Sequence, residues 1–175
     1  ITCRDWSSDV CSSDLTDRTM ALSQKRRGGT MKDAMQNAEE LFVGGLNCAQ
    51  SVLGAFLPEG DPRRADLLRL ACGFGAGIGR RQELCGAVSG AIMALGLSKG
   101  SASADEAARK DDTYRLTREM MERFEKRAGA LGCRELLGCD LASEEGHARY
   151  LSENLRLTVC VPCVRLAAEL AREHS

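Results

Sequence analysis

The sequence predicts an all-α protein, a single-domain bundle of six or seven helices. Three observations carry that expectation. Apolar residues recur at helical spacing along most of the chain. The segments so marked open on capping residues or proline and close on glycine. The length, 175 residues, suits one domain with a sizeable buried core.

Residues 1–30 stand apart, being rich in serine and aspartate without a hydrophobic period. Asp5 to Leu15, DWSSDVCSSDL, resembles the conceptual translation of a sequencing-library adapter. On that reading Cys3 and Cys11 are foreign to the protein. The start is then Met31, with Met20 as the alternative, and residues 31–175 form the domain.

From residue 32 the spacing of Ala34, Ala38, Leu41 and Phe42 predicts a helix with one apolar face, ended by Gly44 and Gly45. Asn47 is a good N-cap for a second helix, Cys48 to Leu57, with Cys48 in its first turn. Pro58, Gly60 and Pro62 make a turn, and Asp61 with Pro62 opens a third helix, Arg63 to Cys72, expected to bury Leu67, Leu68, Leu70 and Ala71.

In the loop that follows, Gly73, Gly75, Gly77 and Gly79 alternate with Phe74, Ala76 and Ile78. Such a run folds readily into a concave nest of N–H groups, so the four glycines are candidate cofactor contacts. The spacing GxGxGxG departs from the dinucleotide fingerprint GxGxxG, and no β-rich run precedes it.

A helix is expected from Gln82 or Glu83, with Cys85 in its first turn, where the helix dipole favours a thiolate. Gly86, Gly90 and Ala94 recur every four residues on one face, which allows close approach of another backbone, internal or in a homodimer. Ser103 to Glu106 fits a capping box opening the longest helix, Ala104 to Arg127, closed by Gly129. Its stripe runs through Ala107, Tyr114, Leu116, Met120, Met121 and Phe124. A short helical turn lies between Gly132 and Gly138, beginning at Cys133 and followed by Cys139. Ser143 caps a further helix, about Glu144 to Leu155, whose His147 is read as a surface residue. Leu155 to Val159 is a candidate short strand, and Cys160 and Cys163 flank Pro162 at the mouth of the last helix.

A formal charge of −1, a pI near 6.2 and 4% aromatics give no sign of nucleic-acid binding. The uncharged stretch Cys85 to Ser98 falls short of the roughly 20 apolar residues of a membrane span, so no membrane insertion is expected. Nine cysteines are the outlying number. Without a secretory signal pattern they point to a cytoplasmic protein using thiols for metal or redox chemistry.

Cys48, Cys85, Cys133 and Cys160 each fall at the expected beginning of a helix, which argues for sulfurs aimed at a common centre. Zinc knuckles need two short pairs and only Cys160 and Cys163 form one, so zinc is an alternative rather than the main expectation. Haem attachment needs CxxCH, whereas Val164 follows Cys163. Cys160-Val161-Pro162-Cys163 also has the form of a thioredoxin-type CxPC site, which would make these two the catalytic pair of a thiol–disulfide oxidoreductase in a βαβ setting. Four thiolates from distant helix starts suit an iron–sulfur cluster held by Cys48, Cys85, Cys133 and Cys160, with Cys72, Cys139 and Cys163 as further thiols.

The segments Asn47-Cys48-Ala49-Gln50-Ser51-Val52, Gly73 to Gly79, Cys85-Gly86-Ala87-Val88-Ser89-Gly90, Cys133 to Gly138, and Cys160 with Val164-Arg165 resemble the C_GCAxxG_C_C family of putative redox-active proteins. The resemblance runs from about Met31 to the C-terminus. It implies an all-helical bacterial or archaeal protein whose four characteristic cysteines are Cys48, Cys85, Cys133 and Cys160. The family is similar to a domain of some multihaem cytochromes, which implies electron transfer or redox sensing with an unidentified redox partner protein. Its members often lie near transporter genes, which leaves a non-catalytic metal-binding role as another implication. Ala76 stands where a loop glycine is usual, and Cys163 where a bulky apolar residue is more common.

Overall fold

Residues 31–174 are described by a computed structural model; the adapter-like segment, Cys3, Cys11 and Met20 lie outside the described residues. Among the described residues helical periodicity resolves into eight right-handed α-helices and no strand. These are α1 (Met31–Val43), α2 (Cys48–Ala55), α3 (Arg64–Ala71), α4 (Gly86–Lys99), α5 (Ala107–Ala128), α6 (Cys133–Leu137), α7 (Glu144–Ser152) and α8 (Val161–Glu173). The short α6 is what carries the number past seven.

Helix α4 is the centre, packing against α2, α5 and α8, while α8 also lies along α1. Its sequence explains the position. Small residues leave little bulk on any side, so α2 comes within backbone contact: a Cβ at Gly90 would sit 2.5 Å from the Ala49 carbonyl oxygen. The Gly86–Gly90 face is therefore internal. Around it Phe42, Leu53, Val88, Phe124 and Leu170 form one continuous core. Exposed pairs such as Arg127 with Glu169, 2.7 Å apart, join α5 to α8 and contribute little each.

Asn47 caps α2 as expected, in a full capping box. Its Oδ1 accepts from the Gln50 N–H at 3.0 Å, and Gln50 Oε1 accepts from the Asn47 N–H at 3.2 Å. The spare amides reach outward: Asn47 Nδ2 donates to the Cys72 carbonyl at 2.9 Å and Gln50 Nε2 to that of Leu68 at 3.1 Å. The cap of α2 thereby fixes where the glycine loop begins.

The loop is a short 3₁₀ turn, Cys72–Phe74, followed by a left-handed turn. Ala76, Gly77, Ile78, Gly79 and Arg80 all have positive φ, from 52° to 68°. For a residue with a Cβ this conformation costs about 1 kcal/mol or more. Contacts on both sides hold it: the Gln82 N–H donates to the Ala76 carbonyl and the Glu83 N–H to that of Gly77, at 3.3 and 3.1 Å. Ala76→Gly is accordingly expected to stabilise the protein by about 0.5–1 kcal/mol, read from urea unfolding under reducing conditions.

Several expectations are corrected. The chain from Arg81 to Leu84 is not the start of α4, because Gln82 takes a left-handed φ and Leu84 bridges to Gly132, so that α4 begins at Gly86 with Cys85 as its N-cap. Leu155 to Val159 is no strand: Arg156–Cys160 forms a π-helical turn leading directly into α8. The Ser103–Glu106 capping box does not form. Ser103 Oγ accepts from the Asp105 N–H, Glu106 turns back to the Ala102 N–H, and α5 starts at Ala107. Leu70 and Tyr114, placed in the core by periodicity, are 68% and 56% exposed because among the described residues no element covers those faces, and Ala107 is exposed with them.

Candidate functional site

Each cysteine is delivered by a different local device. Cys48 opens α2 behind the Asn47 cap. Cys85 and Cys133 are brought together by a short antiparallel crossing, in which the Cys85 N–H donates to the Leu131 carbonyl at 2.8 Å and the Cys133 N–H to that of Glu83 at 2.7 Å. Cys160 ends the π-helical turn, and Cys163 sits in the first turn of α8 just after Pro162.

These five sulfur-bearing residues line a single small cavity of about 20 Å³, together with Gly86, Leu136, Leu137 and Val159. That space holds about one water molecule. The four cysteines expected at a common centre do meet there, joined by Cys163. Cys72 is exposed, and Cys139 lies beyond α6 outside the cavity. All seven described cysteines are free thiols.

Within the cavity the thiols interact in two pairs, Cys85 with Cys163 and Cys48 with Cys160. The Cys163 S–H draws the Cys85 thiol down to about 7 against the opposing effect of burial, and the Ala87 and Val88 N–H groups at the start of α4 act in the same direction. Cys48 and Cys163 are held protonated. Cys48 is raised well above the ordinary thiol range, first by its hydrogen bond to Cys160 and then by burial, and Cys163 is raised by its bond to Cys85. Burial, reinforced by the negative charge on Cys85, pushes Cys133 up to about 12. The centre therefore sets a Cys85 thiol whose ionisation is favoured among Cys48, Cys133 and Cys163 thiols that resist theirs.

The glycines of the loop do different things from one another. Gly75 lets Asn47 approach, since a Cβ there would lie 2.6 Å from Asn47 Cγ. Gly77, at φ +66°, lies against Cys133, whose Cβ would be 2.7 Å from an added one. Gly73 and Gly79 have open space where a Cβ would go. Two of the four thus make room for the thiol centre, which the nest reading did not anticipate.

On the other side of Cys48, Cys133 and Cys160 lies a wider, open cavity of about 530 Å³, edged by the loop, α7 and the π-helical turn. Tyr150 faces it, its hydroxyl pushed up to about 12 by burial and then by the sulfur charges. Arg156 also lines it, stacked 4.8 Å from the Phe42 ring and donating to the Phe42 carbonyl at 2.6 Å.

Sequence reasoning missed Gln82, which is 4% exposed with φ at 60°. Its amide donates to the Cys139 carbonyl at 2.9 Å and accepts from the Leu141 N–H at 2.7 Å, fastening the chain beyond α6 beneath the crossing strand. A polar residue after two arginines carries no signal of such burial. The role of Cys163 beside Cys85 was also not legible, although its departure from the family pattern marked it.

Among the described residues no three His, Cys, Asp or Glu side chains are gathered tightly enough to hold one metal ion. The donor set nevertheless fits thiolate ligation by chemistry, being four sulfurs from four helix starts with a thiolate already favoured at Cys85. No helix among the described residues is long and apolar enough to cross a membrane. No curated protein and no solved structure matches the chain. Residues 46–174 match the family described as Putative redox-active protein (C_GCAxxG_C_C). That match takes in every cysteine of the cavity, and the chain belongs to the C_GCAxxG_C_C family of redox-active proteins.

Proposed function

We propose that this protein transfers electrons or senses redox state through the buried thiol centre, with Cys48, Cys85, Cys133 and Cys160 as ligands of an iron–sulfur cluster. The observation that supports this reading is the convergence of those four residues, far apart in sequence, on one cavity. A bound cluster would supply one-electron transfer. Cys85 offers a thiol whose ionisation is favoured. Cys48 must give up its proton and its hydrogen bond to Cys160 before either can ligate, and the wider cavity is the side from which both are reached. Backbone N–H groups of Ala87 and Val88 already directed at the Cys85 sulfur are the kind of donor that tunes a cluster's potential.

Free thiols at the seven described cysteines suit a reducing cytoplasm, where a partner protein would exchange the electrons. Anaerobic purification followed by iron and sulfide assay and a visible spectrum tests the reading. Stoichiometric iron and sulfide, lost on Cys→Ala at any of the four positions and kept in Cys163→Ala, is the expected result. A colourless, iron-free anaerobic protein overturns it.

A further inference from the structure

The wider cavity has a charge bias that the thiol centre does not require. Arg80 and Arg156 line it together with His147, Asn47 and Tyr150, and among the described residues no aspartate or glutamate does, in a chain with 25 acidic residues against 24 basic ones. Neither arginine forms an ion pair among the described residues. Arg80 is held at the rim by the left-handed turn, at φ 68°, and Arg156 by its bond to Phe42. Four thiols line it as well: Cys48, Cys133 and Cys160 of the centre, and the exposed Cys72. Its volume of about 530 Å³ lies within the range usual for sites that take metabolite-sized molecules.

A ligand matched to these walls has anionic groups for the arginines and a centre that reacts with thiols. We propose that the cavity binds a low-molecular-weight disulfide bearing carboxylates, with Arg80 and Arg156 receiving the carboxylates and Cys48 and Cys160, which line both cavities together, meeting the disulfide bond. The proposal rests on the reading of these thiols as redox-active and not on the cluster. Ligation of a cluster and reaction with a disulfide draw on the same two sulfurs, so they exclude one another.

The exchange balances within the named groups. Cys160 gives up its proton and attacks one sulfur of RSSR, forming Cys160–S–S–R and expelling RS⁻. Cys48 then attacks the Cys160 sulfur, forming the Cys48–Cys160 disulfide and expelling the second RS⁻. The two thiol protons of the protein end on the two released thiolates. The bound disulfide is reduced by two electrons and the protein dithiol is oxidised by two.

The reduced full chain, treated with chelator, is mixed with oxidised glutathione, neutral hydroxyethyl disulfide or cationic cystamine. Each rate is divided by that of the same disulfide with a free thiol. The expected result is a preference for the anion over the neutral compound of about tenfold or more, with cystamine slowest, as a cavity of one charge sign produces. Peptide mapping is expected to find a Cys48–Cys160 disulfide. Arg156→Gln and Arg80→Gln should each reduce the preference severalfold while leaving the neutral compound's rate unchanged. Arg80 makes no hydrogen bond among the described residues, so its variant reads charge even where loss of the Arg156 contacts disturbs folding. Equal normalised rates for the three compounds, or a disulfide mapped to Cys85 and Cys163, overturn the proposal. Iron-free protein that retains the anion preference removes the cluster and leaves this site standing.

Discussion

Replacing Gly77 by alanine is expected to destabilise the protein by about 2–4 kcal/mol, as the sum of a left-handed backbone penalty and overpacking against a rigid neighbour. The added Cβ would lie 2.7 Å from both Cys133 Cβ and Gln82 Cα, and neither is the free end of a flexible side chain. Relief requires α6 to move away from the loop, which carries Cys133 out of the cavity. Gly79→Ala is the matched control, because Gly79 has nearly the same φ, +60°, with nothing within 4 Å of its added Cβ. It should lose only the backbone part, about 1 kcal/mol. Urea unfolding of the two variants under reducing conditions measures the difference. Equal losses would mean that Gly77 does not serve the approach of Cys133.

Cys163→Ala is expected to move the titration of Cys85 upward from about 7 toward the ordinary value of 9.0, since the Cys163 S–H is the largest cause of the depression. Thiolate absorbance near 240 nm, followed with pH in metal-free reduced protein, reads this directly, and Cys85→Ser identifies the step by removing it. The shift also sets how stability depends on pH. A thiol whose pKa is depressed on folding contributes stability that is complete above 9.0 and is lost as pH falls through about 7. Cys48, Cys133 and Cys163, raised on folding, act in the opposite sense: their contribution is lost as pH climbs beyond 9.0, where the unfolded chain ionises and the native one resists. Metal-free protein should therefore gain stability between about pH 7 and 9 and lose it above. In Cys163→Ala the rise should flatten. Thermal unfolding midpoints across this range check the sign, and a wild-type midpoint falling from pH 7 to 9 would contradict it.

Much of the local structure was legible because its causes are local. Asn47 caps α2 through atoms three residues away, Gly45 and Gly129 end helices by taking positive φ, and Pro162 sits in the first turn of α8. Periodicity failed where the apolar face has nothing to pack on, as at Leu70 and Tyr114, and at Arg81 to Leu84, where hydrogen bonds to a segment some fifty residues away override the pull toward helix.

The centre divides along the same line. That Cys48, Cys85, Cys133 and Cys160 stand at helix starts follows from caps, glycines and a proline, each acting over a few residues, and the sequence alone determined it. Which sulfur hydrogen-bonds to which was decided by the tertiary structure. Cys160 and Cys163, three residues apart, have different partners, Cys48 and Cys85, because α8 packs against both α2 and α4, which begin at those partners. Only the left-handed turn over Gly77, the bridge at Gly132 and the close packing at Gly90 bring those helices near enough, and these are contacts between distant parts of the chain that no local pattern encodes.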